Sequence, residues 1–188
     1  QLARLEEAAR TTQAFGACTE YLAFLRKHKL RRPETVCRLG TRVFEKWGGR
    51  LGDDVWTVIE QVALAALDAH DRPLVQACIE RLQAKFGEES TRVKVLRGRL
   101  EEARSDWAAA EAIYDELIEA NAANTVAQKR KIAVAGARAT AGNDRPLVNA
   151  LNEYLKTFPA DGPAWHELAN VHMSAGRFEE AAFCFEEL

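Results

Sequence analysis

Residues 165–185 read WHELANVHMSAGRFEEAAFCF, and this stretch decides the fold. Trp165, Leu168, Ala169 and His172 recur at steps of three, one and three, which places them on one helical face. Gly176 interrupts the pattern, and Ala181 and Phe185 resume it four residues apart. The order is large, large, small, aromatic, Gly, Ala, aromatic, with His172 the imperfect member. A small residue at Ala169 lets two helices approach closely while large ones fill the space above and below. Upstream, Gly142, Leu147 and Leu151 precede Gly176, Ala181 and Phe185 by 34 residues each. Ala110 and Val75 stand where Ala181 stands in still earlier copies, and Tyr114 and Ile79 stand where Phe185 does. The spacings of 35 and 37 between those copies imply small insertions in the turns.

A 34-residue helix–turn–helix period is that of the tetratricopeptide repeat. The predicted fold is therefore an all-α tetratricopeptide-repeat (TPR) α-solenoid of antiparallel helix pairs. Residues 1–50 form an N-terminal helical segment, and 51–188 hold four degenerate units at about 52–87, 91–122, 125–159 and 162–188. The expected pairs are 52–69 with 72–86, 91–104 with 107–120, 125–140 with 144–157, and 162–175 with 178–188. Asp53 or Asp54, Asp71, Ser90 or Thr91, Ser105 or Asp106, Asn124, Asn143 or Asp144, and Asp161 each precede such a stretch. Each can accept a hydrogen bond from an unpaired first-turn N–H. Pro73, Pro146 and Pro163 follow caps at positions where a missing N–H costs little. Before residue 50 one helix is expected over 2–29, with a break near Gly16, and another from Pro33 to Trp47, ended by Gly48-Gly49.

Composition agrees. The chain holds 188 residues with 33 Ala, 5 Pro and 11 Gly, which favours helix over turn-dense β architectures. A formal net charge of −2 supplies no global field for nucleic acid, so no nucleic-acid partner is expected. The longest apolar run, Val62 to Leu67, is six residues, against about twenty for a membrane span. The chain opens on Gln1 and closes at Leu188 inside an amphipathic pattern, which reads as a piece of a longer protein. The apolar face left beside Phe183 and Phe185 should be covered by further repeats or by a partner. Cys18, Cys37, Cys78 and Cys184 form no C-x-x-C pair, so free thiols in a reducing compartment are expected, with Cys78 and Cys184 in the core. Trp56, Trp107 and Trp165 sit at repeat positions that normally pack, so they too are expected in the core.

Chemistry-bearing motifs are few. H-E-x-x-H, G-x-S-x-G and G-x-x-x-x-G-K-[ST] are all missing, and no strand precedes the glycines at 48–52 to make a phosphate cradle. His166 and His172 point to different sides of a helix. No catalytic residue, cofactor or metal site is expected, and the chain is not read as an enzyme. The basic run Arg26-Lys27-His28-Lys29-Leu30-Arg31-Arg32 suits either a solvated helix end complementing the dipole or a patch for an acidic partner or anionic membrane. Lys129, Arg130 and Lys131 form another cluster, expected in a first helical turn where cations oppose the dipole. That placement points to binding, or to a solvated face. Groove positions on the first helix of each unit hold Glu60 and Leu64; Arg92, Val95 and Arg99; Lys129 and Ile132; His166 and Asn170. Arg92, Arg99, Lys129, Arg130, Lys131, His166 and Asn170 are the candidate partner-binding residues. A class of these repeats grips chaperone C-terminal carboxylates with a Lys and an Asn four residues apart. Glu60/Leu64, Val95/Arg99, Ile132/Gly136 and His166/Asn170 do not supply that pair.

Several strings go beyond the general repeat pattern: Leu51-Gly52-Asp53-Asp54-Val55-Trp56, Glu60-Gln61-Val62, Ala65-Ala66-Leu67-Asp68, Lys129-Arg130-Lys131-Ile132-Ala133, Leu151-Asn152-Glu153-Tyr154-Leu155, Ala164-Trp165-His166-Glu167-Leu168-Ala169 and Ala181-Ala182-Phe183-Cys184. They include turns and exposed residues. Together they resemble the family of subunit 2 of the endoplasmic reticulum membrane protein complex, over 51–188 most closely. Gly87 and Ala122 depart from it where a helix-ending Pro is common.

The resemblance implies a TPR scaffold on the cytoplasmic side of the endoplasmic reticulum membrane, peripheral to it and without a transmembrane segment. Its complex inserts transmembrane helices, including tail anchors. The implied partners are cytosolic segments of the membrane subunits and a soluble subunit, 8 or 9. A free-standing adaptor gripping a peptide in its concave groove remains the alternative.

Overall fold

The computed structural model describes residues 1–140 and 142–188. Eleven helices occupy them: α1 (Leu2–Thr12), α2 (Phe15–Lys27), α3 (Pro33–Leu51), α4 (Asp54–Asp68), α5 (Arg72–Phe86), α6 (Thr91–Ala103), α7 (Trp107–Ala120), α8 (Thr125–Arg138), α9 (Arg145–Thr157), α10 (Gly162–Ser174) and α11 (Phe178–Glu186). The described residues contain no strand, only an isolated bridge between Thr140 and Asn143. Two compact units divide the chain, 1–104 with α1–α6 and 105–188 with α7–α11.

In the first unit the predicted helix over 2–29 is two helices. The expected break near Gly16 falls at Gln13, whose φ of 47° is left-handed, with Gly16 itself inside α2. The predicted stop at Gly48-Gly49 also moves. α3 runs on to Leu51 and bends at Trp47 (φ −132°, ψ 18°), so the glycine pair softens a helix instead of ending it. α2 ends in a Schellman motif. Leu30 N–H bonds Leu25 O at 2.9 Å and Lys29 N–H bonds Arg26 O at 3.2 Å, with Lys29 left-handed at φ 52°. α4 ends the same way at His70 (φ 57°).

The core of this unit holds Leu22, Leu25, Leu39, Val43, Val62, Ile79, Leu82 and Leu96, all buried. α3 and α4 approach most closely at Gly40. A Cβ built there would lie 2.2 Å from Cγ2 of Val62, so only glycine admits this contact as it stands.

The other unit packs Ile132, Leu147, Leu151, Tyr154, Leu155, Leu168, Ala169 and Cys184 around α9 and α10. The predicted small and large repeat positions behave as a set. Ala181, Ala110, Val75 and Leu147 are buried, as are Tyr114, Ile79 and Leu151. Phe185 is 45% exposed, alongside Phe178, Phe183 and Leu188.

The expected caps divide by geometry. Asp71, Asp106, Asn124 and Asp161 accept from the N–H groups of Leu74, Ala109, Ala127 and Ala164 at 3.0–3.3 Å. Asp53, Ser90 and Asp144 sit at N-cap positions without a capping bond. The tryptophans correct an expectation. Trp56, Trp107 and Trp165 are each half-buried. Trp165 packs edge-on to Phe183 at 6.1 Å and its Nε1–H donates to Pro159 O at 2.8 Å, so its polar edge faces the turn rather than the core.

Candidate functional site

A cleft of about 520 Å³ opens in the first unit. The C-terminal end of α2, the 28–32 turn, the start of α3, one face of α4 and Arg99 of α6 shape it. Leu25, Val36, Leu64 and Ala65 line it with apolar surface, while Arg26, Lys29, Arg31, Arg32 and Arg99 bring cations and Glu60 and Asp68 bring carboxylates. The Schellman turn places the basic run here: by reversing the chain after Lys27 it leaves residues 26–32 exposed around the opening.

Few of these cations are held tightly. Arg26 Nη1 donates to Gln61 Oε1 at 2.7 Å, and Gln61 in turn donates to Leu22 O at 3.1 Å. Arg31 faces Asp68 at 3.8 Å with its own side chain 82% exposed. An exposed pair of that kind contributes little to stability and leaves the guanidinium open to another anion. Of the predicted groove residues, Glu60, Leu64 and Arg99 meet here. Arg92 lies outside the cleft lining, pairing with Glu60 at 3.0 Å while its guanidinium stacks on Phe86 at 5.0 Å.

The Lys129–Lys131 cluster is arranged differently. α8 starts at Thr125, so these residues occupy its second turn, not the first. The dipole penalty inferred from the sequence falls off there. Lys129 Nζ lies 2.7 Å from Asp161 Oδ2, and the Tyr154 hydroxyl donates to that oxygen at 2.6 Å. Asp161 also caps α10. The Lys129 hydrogen bond, reinforced by Tyr154, holds the Asp161 carboxyl below its ordinary range, and Asp161 raises Lys129. Burial, together with the Asp161 bond, raises the Tyr154 phenol. Lys131 pairs with Asp115 of α7. Arg130 lies between them on α8.

His166 and Asn170, both exposed, line another cleft of about 1050 Å³ with Asp144, Leu147 and Arg177. Beside it lies a group that the motif search missed. Arg177 Nε–H donates to His172 Nδ1 at 2.8 Å, and its Nη2 pairs with Asp144. The bond from Nε–H makes Nδ1 the acceptor, and burial, then the Arg177 charge, lowers the His172 pKa. Arg177 donates to both Asp144 oxygens and holds that carboxyl low, and Asp144 makes no capping bond to α9. Only the 33-residue separation of Asp144 and Arg177, one repeat period less one, hinted at the contact.

The four cysteines are free. Burial raises all of them, and Cys78 most, to about 12, which makes it a poor nucleophile. Among the described residues no group of three or more His, Cys, Asp or Glu is placed to hold a metal, and no helix is long and apolar enough to cross a membrane.

Comparisons with known proteins agree with this architecture. The sequence profile of the family described as "EMC2 TPR-like repeat domain" matches residues 86–188. The chain is 38% identical over 163 residues to "ER membrane protein complex subunit 2" of Xenopus tropicalis, covering 87% of this chain and 54% of that protein. It is 30% identical over 168 residues to the protein of that name in Dictyostelium discoideum, covering 89% and 51%. It is also 34% identical over 140 residues to "TPR repeat protein oca3" of Schizosaccharomyces pombe, covering 74% and 48%. The chain thus spans about half the length of the curated relatives it matches. A crystal structure of a tetratricopeptide repeat protein from Parabacteroides merdae superposes with a TM-score of 0.54 over 97% of this chain and 78% of that one, at 18% identity, and so speaks to the fold alone. From the repeat pattern, the helices and these relatives together, the chain belongs to the family of subunit 2 of the endoplasmic reticulum membrane protein complex, with an all-α TPR fold.

Proposed function

We propose that the chain is part of a scaffold subunit on the cytoplasmic side of the endoplasmic reticulum membrane. In this role it organises a complex that inserts transmembrane helices, including tail anchors, into that membrane. Its partners are cytosolic segments of membrane subunits and the soluble subunit 8 or 9. The observation that carries the reading is the 38% identity to a named subunit 2 across 87% of the chain. Four units over 51–188, preceded by the helical segment 1–50, provide the docking surfaces. Arg92, Arg99, His166 and Asn170 are the groove residues that meet partners. Lys129 and Lys131 also pair with Asp161 and Asp115 inside the compact unit 105–188.

The work of such a subunit is binding, not catalysis. The apolar floor and cationic rim of the 520 Å³ cleft suit a docked segment of another chain. The same cleft is what favours the alternative, a free-standing adaptor gripping a peptide. Purification of the full-length protein from detergent extract, followed by mass spectrometry, separates the two. Stoichiometric recovery of membrane subunits is expected. Recovery as a monodisperse single chain that binds short peptides would favour the adaptor.

A further inference from the structure

A row of cations on α3 lies apart from the cleft. Arg38, Arg42 and Lys46 follow one another every four residues, and Arg50 continues the spacing beyond the bend at Trp47. The buried face of α3 is Val36, Leu39, Gly40, Val43 and Phe44, so the row flanks the core rather than entering it. Arg38, Lys46 and Arg50 are exposed and Arg42 is half-buried. None of the four forms an ion pair with a carboxylate among the described residues. Glu34 stands four residues before Arg38 at the head of the same ridge, and Glu45, beside Lys46, turns to Arg81 at 3.9 Å. Arg42 donates instead to the Gln13 side chain.

Like charges four residues apart repel on a helix surface, so the row works against α3. Aromatic faces hold Arg42, Lys46 and Arg50 in place. Arg42 and Lys46 lie over the Trp47 ring at 5.8 and 5.1 Å, and Arg50 lies over Phe15 at 4.3 Å. Those stacks limit the rotamers of long side chains that would otherwise sweep through solvent. The result is a line of positive charge, three of its four members pre-arranged, that no ion pair among the described residues neutralises.

We propose that this row is a docking surface for an acidic amphipathic helix of a partner protein, one that presents carboxylates at i, i+4 and i+8. The rise of a helix puts cations four residues apart about 6 Å from one another, and a facing helix repeats the same interval. Side chains at i±4n form the ridges by which helices interdigitate, so matched ridges of opposite charge meet along the crossing. Single-stranded RNA fits less well, because the cations themselves cover the ring faces on which bases would stack. A membrane surface fits less well too, since no large apolar side chain of α3 is exposed for insertion. The surface serves whichever protein carries the helix, so it stands independently of the complex proposed above.

The test is fluorescence anisotropy on the full-length protein. One probe is a side-chain-stapled helical peptide with glutamates at i, i+4 and i+8. Another has the same composition with its glutamates spread round the helix. A short uridine oligonucleotide and phosphatidylserine vesicles complete the set. The in-register peptide should bind at least about tenfold more tightly than the scrambled one. The Arg38→Gln/Lys46→Gln variant should lose that preference while keeping the native circular dichroism melt. Arg31→Gln/Arg32→Gln, at the separate cleft, should retain it. Equal binding of the two peptides, preference for RNA or vesicles, or loss only in the Arg31/Arg32 variant would overturn the proposal.

Discussion

Two basic runs, one in each unit, meet their counter-charges differently. As sequence, Arg26–Arg32 of the first unit and Lys129–Lys131 of the other are alike: each is a dense cationic run on or beside a helix. In the first unit the run is exposed around a cleft, with Arg31 only loosely paired to Asp68 at 3.8 Å. In the other, Lys129 and Lys131 meet Asp161 and Asp115, and Arg177 joins His172 and Asp144. Local density of charge does not reveal whether a cation serves the fold or the surface. The position of the counter-charge decides it.

Charge reversal in both places should tell the two runs apart. Lys129→Glu/Lys131→Glu sets a new anion against the cap of α10 and strips Asp161 of its partner. Both pairs are partly exposed, so each is worth at most about 1 kcal/mol, and reversing the two together should cost about 1–2 kcal/mol by denaturant titration. Arg31→Glu/Arg32→Glu should stay within about 0.5 kcal/mol, as exposed substitutions usually do. Equal losses in both variants would erase the distinction.

Trp165→Ala comes next. A fully buried aromatic costs about 3–5 kcal/mol on truncation, and the half-buried ring should cost about 2 kcal/mol in a thermal melt. No measurable change would mean that the contacts to Phe183 and Pro159 contribute nothing to stability.

Gly40→Ala probes the packing of the first unit. Alanine favours helix over glycine by about 1 kcal/mol, yet the methyl would collide with a Val62 side chain whose β-branch leaves it few other rotamers. Overpacking should outweigh propensity, for a net loss of about 1 kcal/mol. Gly40→Ala combined with Val62→Ala should lose less than the two single losses added together. Strict additivity would show that the close approach carries no strain.

The smallest effect is a pH slope. His172 has a folded pKa below its ordinary 6.5, so the unfolded chain binds the proton more readily. Stability is therefore complete above about pH 6.5 and declines as pH falls from there toward the folded pKa. The depressed Asp161 and Asp144 add a separate loss at more acidic pH, below the ordinary carboxylate range. His172→Gln should remove the upper part of the slope and leave the lower part, as read from urea midpoints across the range.

What sequence could show follows from these contacts. The repeat register was legible because it rests on local periodicity: Leu168, Ala169, Ala181 and Leu151 are buried where the 34-residue phase put them. The end of α2 was not, because Lys29 takes a left-handed turn that glycine usually announces. At Gly40 and at Gly48-Gly49, glycine marked a close approach and a bend inside one helix. The tryptophans kept their periodic places but not full burial, since an indole at a turn also needs a partner for its N–H. The candidate cations were found by composition. Asp161, 32 residues beyond Lys129, comes close only through the packing of α8, α9 and α10, and no motif spans that distance.

The central claim is that the exposed cationic surface of the first unit holds partners while the paired charges of the other hold the fold. The most direct test is co-purification of membrane subunits from detergent extract with full-length Arg26→Glu/Arg31→Glu/Arg32→Glu, beside its melting temperature. A melt lowered by no more than the loss of the Arg26–Gln61 hydrogen bond, and a marked loss of associated subunits, are expected. Full recovery of the subunits with that variant, at wild-type stability, would contradict the claim.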